Sequence, residues 1–346
     1  MNGCGLMSRS SSLLIIGAGA FGTAMALTVA RALRERSGAK RLFLWSRTAE
    51  RRAAFKNAYG KHYPEINVIQ DLDSYISSDA DLLYALPTQV FRLFLKQYPG
   101  LLRGKRPLLM TAKGVEATTG SFFDDIYRSF KGQRPLAFLA GPHLSSELLK
   151  GSAAHSLLGG APNITSLFKK WLHCKDFLCE ERDDFRGVMI ASALKNVMAL
   201  LSGVMQGEGV AQNTRFSHLA QGWSWIVELG VLWGAKKDTF ESVALLGDYM
   251  LTTNALTSRN VTAGRMLGEG KTVAELPETM LAEGLLTLQG VMYRLKNHIS
   301  EEGLSKIPSQ SIASLKTNRV LKILSFLEAF HARLYKKKPL SWSAWL

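Results

Sequence analysis

The chain has 346 residues, 47% hydrophobic and 21% charged, with a formal net charge of +15 and a pI near 9.8. That is ample apolar material for two domains and excludes a globally disordered chain. Three cysteines, Cys4, Cys174 and Cys179, are too few for a disulfide framework and fit a reducing compartment. His173, Cys174 and Cys179 lie close together without a second ligand pair, so no metal site is expected. The basic residues are scattered, with the densest run at Lys336-Lys337-Lys338, and no nucleic-acid motif accompanies them. The surplus charge therefore reads as solvated surface, and no nucleic-acid partner is expected. The apolar run Leu13–Ile16 is far too short for a signal-peptide core, and no run is expected to reach the length of a membrane span, so no integral membrane segment and a cytoplasmic location are expected. Residues 1–10 read as a flexible lead, with Met7 an alternative start.

The first predicted strand is Leu13-Leu14-Ile15-Ile16, and it runs straight into Gly17-Ala18-Gly19-Ala20-Phe21-Gly22. An apolar, alanine-rich helix follows from about Phe21 to Leu33. A Gly-x-Gly-x-x-Gly turn between a strand and a helix is the pattern that cradles a dinucleotide. Gly17 permits the tight turn, Gly19 lets backbone approach a pyrophosphate, and Gly22 lets helix and strand pack closely. The helix N-terminus then offers unpaired N–H groups to the phosphates.

Next come a strand at Arg41–Trp45, a charged helix from about Ala49, and a strand from Asp81 that ends at Pro87. A helix over Gln89–Lys96 and buried strands at Pro107–Thr111 and Pro135–Leu139 complete the alternation. Short apolar strands separated by helices predict an α/β, doubly wound parallel sheet of Rossmann type over residues 11–183. Ligands of such a sheet bind beyond the carboxyl ends of its strands, which places Lys113-Gly114 and Gly141-Pro142-His143 on the cofactor side. After the second strand, where NAD sites often carry an acid, the chain reads Trp45-Ser46-Arg47, with Arg51 and Arg52 close behind. An arginine there suits a 2′-phosphate, so the cofactor is NADP or NAD with NADPH favoured.

From Asp184 the strand signals vanish. Val188, Ala191, Leu194, Val197, Leu201 and Val204 form one helical stripe, and helices continue through residue 335 as an all-α second domain. Residues 336–346 read as a basic tail, loose from Pro339 onward. Lys195-Asn196 lies among small and apolar residues; desolvation there would lower the lysine pKa toward a value useful for a general base. The alternative is a lysine on the polar edge of an amphipathic helix. Asp248 and, one turn on, Thr252 follow, and Ser258-Arg259-Asn260 at a helix start suits a phosphate or carboxylate clamp.

The succession of the glycine turn, Lys113-Gly114-Val115-Glu116, Gly141-Pro142, Lys195-Asn196-Val197, Asn213-Thr214-Arg215, Gly247-Asp248, Ser258-Arg259-Asn260 and Glu283-Gly284 closely resembles the bacterial-type NAD(P)-dependent glycerol-3-phosphate dehydrogenases. The resemblance spans about Leu13 to Gly284. It implies hydride transfer that interconverts glycerol 3-phosphate and dihydroxyacetone phosphate, feeding glycerophospholipid synthesis. It further implies Lys195 as general acid/base, Lys113 in contact with substrate and cofactor, and Asp248 and Thr252 as orienting residues. Arg259 and Asn260 correspond to the phosphate clamp, with Ser258, Gly141, His143 and Asn196 also at the substrate. Ala20, Phe21, Ser145, Arg259, Leu281 and Glu283 join the glycines, Arg47 and Lys113 around the cofactor. The implied partner is a small phosphate substrate, with a homodimer the assembly entertained.

The chain departs from the family at His143, where a small hydroxyl is usual, at Ala220-Gln221-Gly222-Trp223, and at Gln206-Gly207-Glu208-Gly209. Two further readings therefore stand beside the first: a related two-domain dehydrogenase of another small anionic substrate, and a catalytically impaired NADP-binding relative.

Overall fold

In the computed structural model, which describes residues 12–36, 40–76, 79–277, 283–301 and 312–345, the first apolar run forms β1 (Ser12–Ile16) and leads through the glycine turn into α1 (Ala20–Arg34). The chain continues through β2 (Arg41–Trp45), α2 (Ala49–Phe55), β3 (Ile66–Ile69), α3 (Asp73–Ile76), β4 (Asp81–Tyr84) and α4 (Phe91–Gln97). Then follow β5 (Leu108–Met110), α5 (Phe123–Ser129), β6 (Leu136–Ala140), α6 (Ser145–Lys150), β7 (Ala154–Gly160), α7 (Pro162–Leu172) and β8 (Phe177–Arg182). The expected flexible lead and Leu281 lie outside the described residues.

The eight strands form one sheet in the order β3-β2-β1-β4-β5-β6-β7-β8. All neighbours are parallel except β6 and β7. The order reverses at β1, whose Ile16 pairs with Trp45 on one side and Tyr84 on the other. That reversal opens a crevice at the strand ends beside Gly17, where doubly wound sheets bind ligands. Leu13 and Ile15 face one core with α1 and α7, and Leu14 and Ile16 face the other, which runs on into the helical half. With both faces covered, Leu13–Ile16 of β1 and Leu82–Tyr84 of β4 are continuously apolar, which made the strands readable from sequence.

Three strands were not anticipated. Ile66-Asn67-Val68-Ile69 is an edge strand, and β7 and β8 carry His, Ser, Gly and charged residues. The wholly parallel sheet expected from sequence is corrected to a mixed one, because β7 returns antiparallel along β6, pairing Phe138 with Gly159.

The helical half comprises α8 (Phe185–Gly207), α9 (Gln212–Leu232), α10 (Val243–Asn254), α11 (Arg259–Gly268), α12 (Glu283–Glu301) and α13 (Ile312–Lys336). Asp184 caps α8, accepting from Gly187 N at 2.9 Å. From Gly187 to Met205 every residue of α8 is buried. Two expectations are corrected here. The stripe read on α8 is one part of a helix enclosed on all sides, so Lys195 is not on a polar edge. The same helix is also long and apolar enough to cross a membrane, yet its apolar stretch is buried inside the protein.

α11 crosses α8 at close range: a Cβ on Gly203 would come within 2.2 Å of Val261 O, and one on Gly264 within 2.2 Å of Leu200 O. That approach sets Asn260 beside Asn196. Residues 339–345, expected to be loose, are docked. Trp342 is buried, donates from Nε1 to Glu208 at 2.7 Å, and offers its carbonyl to His218 Nε2 at 2.9 Å.

Candidate active site

The glycine turn has the form of a cradle. Gly17 has φ +115°, and a Cβ there would lie 2.8 Å from Leu86 Cδ2. A Cβ on Gly22 would fall 1.8 Å from Gly17 O. Gly19 differs: among the described residues its Cβ would meet only the Arg51 guanidinium, at 3.5 Å, so the space in front of it is open. Gly19 is the N-cap of α1 and supplies no side-chain cap, and the first turn, Ala20 and Phe21 included, carries no acid. The leading N–H groups of α1 thus face the crevice unneutralised, as a pyrophosphate requires.

Beside the turn lies a cavity of about 340 Å³ lined by Gly17, Ala18, Arg47, Arg51, Pro87 and Leu93 among others. Arg47 is exposed there. Arg52 is committed elsewhere, its Nη1 donating to the carbonyls of Ser46 at 2.7 Å and Arg47 at 3.0 Å. Arg51, close behind Arg47 in the sequence, overlies Gly19. These residues fit a nicotinamide dinucleotide, with room and cationic groups at its adenosine end.

Across the crevice a polar cluster gathers from four elements. Asp248, buried on α10, accepts from Lys195 Nζ through Oδ1 and from Lys113 Nζ through Oδ2, the latter at 2.9 Å. Lys195 Nζ also donates to Thr252 Oγ1 at 2.6 Å, and Lys113 Nζ to Gly141 O at 3.2 Å. An ammonium has three N–H donors, so each lysine keeps one for a further acceptor.

Burial pushes Lys195 down from 10.5 to about 7; the Asp248 carboxylate opposes that fall and the Lys113 ammonium adds to it. Burial works against ionisation of Asp248 too, but the Lys113 and Lys195 cations override it and hold the carboxyl at about 2. Gly141 has φ +139°, and its Cβ would come within 2.7 Å of His155 O.

The His143 ring is packed between Phe21 and Phe177, with centroids at 5.9 and 5.4 Å, and its Nε2 bonds Ser156 Oγ at 2.7 Å. Burial first, and then the Lys113 charge, lower its pKa to about 3, so the ring is neutral. Its Nδ1 is buried with no partner among the described residues.

Asn196 donates to Lys113 O at 2.9 Å, fixing the lysine's backbone against α8. Asn260 donates to Asn196 Oδ1 at 3.1 Å and accepts from Gly284 N at 2.9 Å, which ties α8, α11 and α12 together. Ser258 caps α11 toward Val261 N. Arg259 is exposed at the first position of α11, and its charge, with those of Lys113 and Lys195, draws on Glu283, whose carboxyl burial pushes up. Ser145 begins α6, beyond His143.

Two residues escaped the sequence reading. Thr88 and Thr287 are buried with unpartnered hydroxyls among the described residues, and they flank Gly114 so that its Cβ would lie 3.3 and 3.4 Å from their Oγ1 atoms. Thr88 could have been found from its place just past β4, at a carboxyl end. Thr287 lies mid-helix and has no such signal.

Comparison with known proteins agrees with this geometry. Sequence models of the NAD-dependent glycerol-3-phosphate dehydrogenase N-terminus and C-terminus match residues 12–163 and 184–309. The chain is 34% identical over 281 residues to the glycerol-3-phosphate dehydrogenase (NAD(P)+) of Escherichia fergusonii, covering 78% of this chain and 81% of that one. The enzyme of the same name from Shigella boydii matches equally. Among solved structures, glycerol-3-phosphate dehydrogenase from Coxiella burnetii aligns with a TM-score of 0.73 at 24% identity, over 91% of this chain and 95% of that one. The Plasmodium falciparum glycerol-3-phosphate dehydrogenase aligns with a TM-score of 0.78 at 18% identity, over 97% of each. These two support the fold.

Proposed function

The chain belongs to the NAD-dependent glycerol-3-phosphate dehydrogenase family, and on that premise we propose that it interconverts dihydroxyacetone phosphate and glycerol 3-phosphate with NAD or NADP. The observation that carries the reading is a buried lysine of near-neutral pKa, Lys195, held by Asp248 and Thr252 beside a dinucleotide cradle. Neither alternative read from the sequence is favoured: the matches cover both halves of the chain, and the cluster around Asp248 is intact.

Gly17, Gly19 and Gly22, with the N-terminus of α1, would hold the pyrophosphate. Arg47 and Arg51 would face the adenosine ribose and favour a 2′-phosphate. When bound, the nicotinamide supplies or accepts the hydride at C2 of the substrate. In reduction, Lys195 gives a proton to the C2 oxygen as negative charge develops there; in oxidation it takes the proton back. Its value of about 7 keeps both forms populated near neutral pH. Asp248 and Thr252 fix Lys195 Nζ so that its remaining N–H points into the cleft. Lys113 presents its free N–H to a substrate oxygen. Arg259 binds the phosphate, and Glu283 faces the cofactor.

His143 contributes a neutral ring whose Nδ1 hydrogen-bonds substrate, in place of the family's small hydroxyl. We place the enzyme in the cytoplasm, in keeping with the free, buried Cys174 and Cys179. Exposed Val243, Leu246 and Met250 on one face of α10 support a homodimer. The test is oxidation of NADH or NADPH followed by absorbance, with dihydroxyacetone phosphate as acceptor and glycerol 3-phosphate identified as product. Tight nucleotide binding without turnover would point to the impaired relative instead.

A further inference from the structure

Away from the catalytic crevice, a cavity of about 200 Å³ opens between the end of α9, the middle of α12 and the loop before α5. Thr119, Trp233, Arg294, Asn297 and His298 line it. Three ring or guanidinium nitrogens of this wall, Trp233 Nε1, Arg294 Nε and His298 Nε2, are buried and have no partner among the described residues. Trp233 is itself only 6% exposed. An indole N–H and a guanidinium Nε–H can only donate, so both call for an acceptor that the described residues do not provide. Arg294 and His298 are four residues apart on α12 and leave the same face of the helix.

The surroundings favour a negative acceptor. The Arg294 guanidinium lies over the rings of Phe122 and Trp233, at 4.9 and 5.3 Å, so its charge is poorly hydrated. It pairs with Asp125 at 2.8 Å, but Asp124 and Asp125 are also shared with Arg128 and Arg186. Two carboxylates thus face three guanidiniums, leaving a positive surplus. Nearby Glu116 is neutralised by Arg92 at 2.7 Å. Thr119 donates its hydroxyl to the Glu116 carboxylate, and Ser121 Oγ lies 2.9 Å from the Thr119 hydroxyl oxygen.

We propose that this cavity is an accessory binding site for a small oxyanion, a phosphate or carboxylate group, received by Trp233 Nε1, Arg294 Nε and His298. The site is separate from the nucleotide and substrate crevice, although Thr119 shares its loop with Lys113.

The test follows the indole N–H signals of the full chain labelled with ¹⁵N-tryptophan, with the Trp233 signal assigned by its loss in Trp233→Phe. Inorganic phosphate and acetate are titrated separately against chloride at matched ionic strength. A saturable shift of the Trp233 signal with either anion, absent with chloride, is expected, and the tighter of the two names the class. Arg259→Ala, which weakens the proposed active-site clamp, should leave that shift in place, and His298→Ala should weaken its apparent affinity several-fold. A Trp233 signal unmoved by both anions, moved equally by chloride, or silenced by Arg259→Ala would overturn the assignment. If His298→Ala does not fold, the wild-type and Arg259→Ala titrations still decide it.

Discussion

Asp248→Asn removes one charge with almost no change of volume, from a carboxylate that is buried between two ammonium groups. Burial takes Lys195 down to about 7, and the Asp248 carboxylate is what keeps it from falling further. A unit charge at about 4 Å in an effective dielectric of ~20 is worth ~4 kcal/mol, or ~3 pKa units. Relaxation of the site discounts this to roughly one or two units. A one-unit fall lowers the protonated fraction of Lys195 at neutral pH from about half to about a tenth. Reduction of dihydroxyacetone phosphate needs the protonated form, so its kcat/KM drops as pH rises through the Lys195 pKa. In wild type that midpoint should lie near 7. In Asp248→Asn it should move at least about one unit lower, with a reduced plateau because Lys195 and Lys113 lose their common anchor. The assay is kcat/KM for reduction from about pH 5 to about pH 9, which reports groups of the free enzyme. An unchanged midpoint would refute the reasoning: either Lys195 is not the titrating acid, or Asp248 does not hold its proton.

Gly22→Ala, with its Cβ 1.8 Å from Gly17 O, should lower the melting temperature and weaken nucleotide binding together, whereas Gly19→Ala, whose Cβ meets only Arg51, should leave melting unchanged and weaken only nucleotide binding. Thermal melts and nucleotide titration separate the two, and normal binding by Gly19→Ala would contradict the cradle. Arg259→Ala should raise KM for dihydroxyacetone phosphate by ~10-fold or more, from the loss of roughly 1.5–3 kcal/mol of charge-assisted bonding, while the KM for nucleotide changes little. An unchanged substrate KM would move the phosphate site toward Lys113. NADPH should be used at least as well as NADH, and the double change Arg47→Ala/Arg51→Ala should shift the kcat/KM ratio toward NADH; a ratio that stays put would remove both arginines from the 2′-phosphate site.

The parts of this fold that were legible are those where burial on both faces erases polar residues. β1, β2, β4, β5 and β6 are such strands, and Gly17-x-Gly19-x-x-Gly22 marked the turn between the first strand and helix. β3 and β8 lie at the two edges of the sheet, where polar residues dilute the pattern, and β7 carries two glycines, so their periodicity is weak. α8 was seen as a stripe because short windows register spacing and not enclosure. Lys195 was found as a lysine among apolar neighbours, but its partner Asp248 lies 53 residues away, and only the packing of α10 on α8 joins them. Asn260 was read as part of a ligand clamp; its amide also bridges Asn196 and Gly284, contacts that no local motif encodes. Residues 339–345 looked detached because the partners of Trp342, Glu208 and His218, lie more than a hundred residues away in the chain.

Lys195→Met tests the central claim most directly, since it replaces the buried ammonium with an uncharged chain of similar length. Single-turnover oxidation of NADPH by dihydroxyacetone phosphate, measured beside nucleotide affinity, should show the chemical step slowed by ~10²–10⁴ with nucleotide binding nearly intact. A variant that keeps more than about a tenth of the wild-type rate would show that the proton at C2 comes from another group.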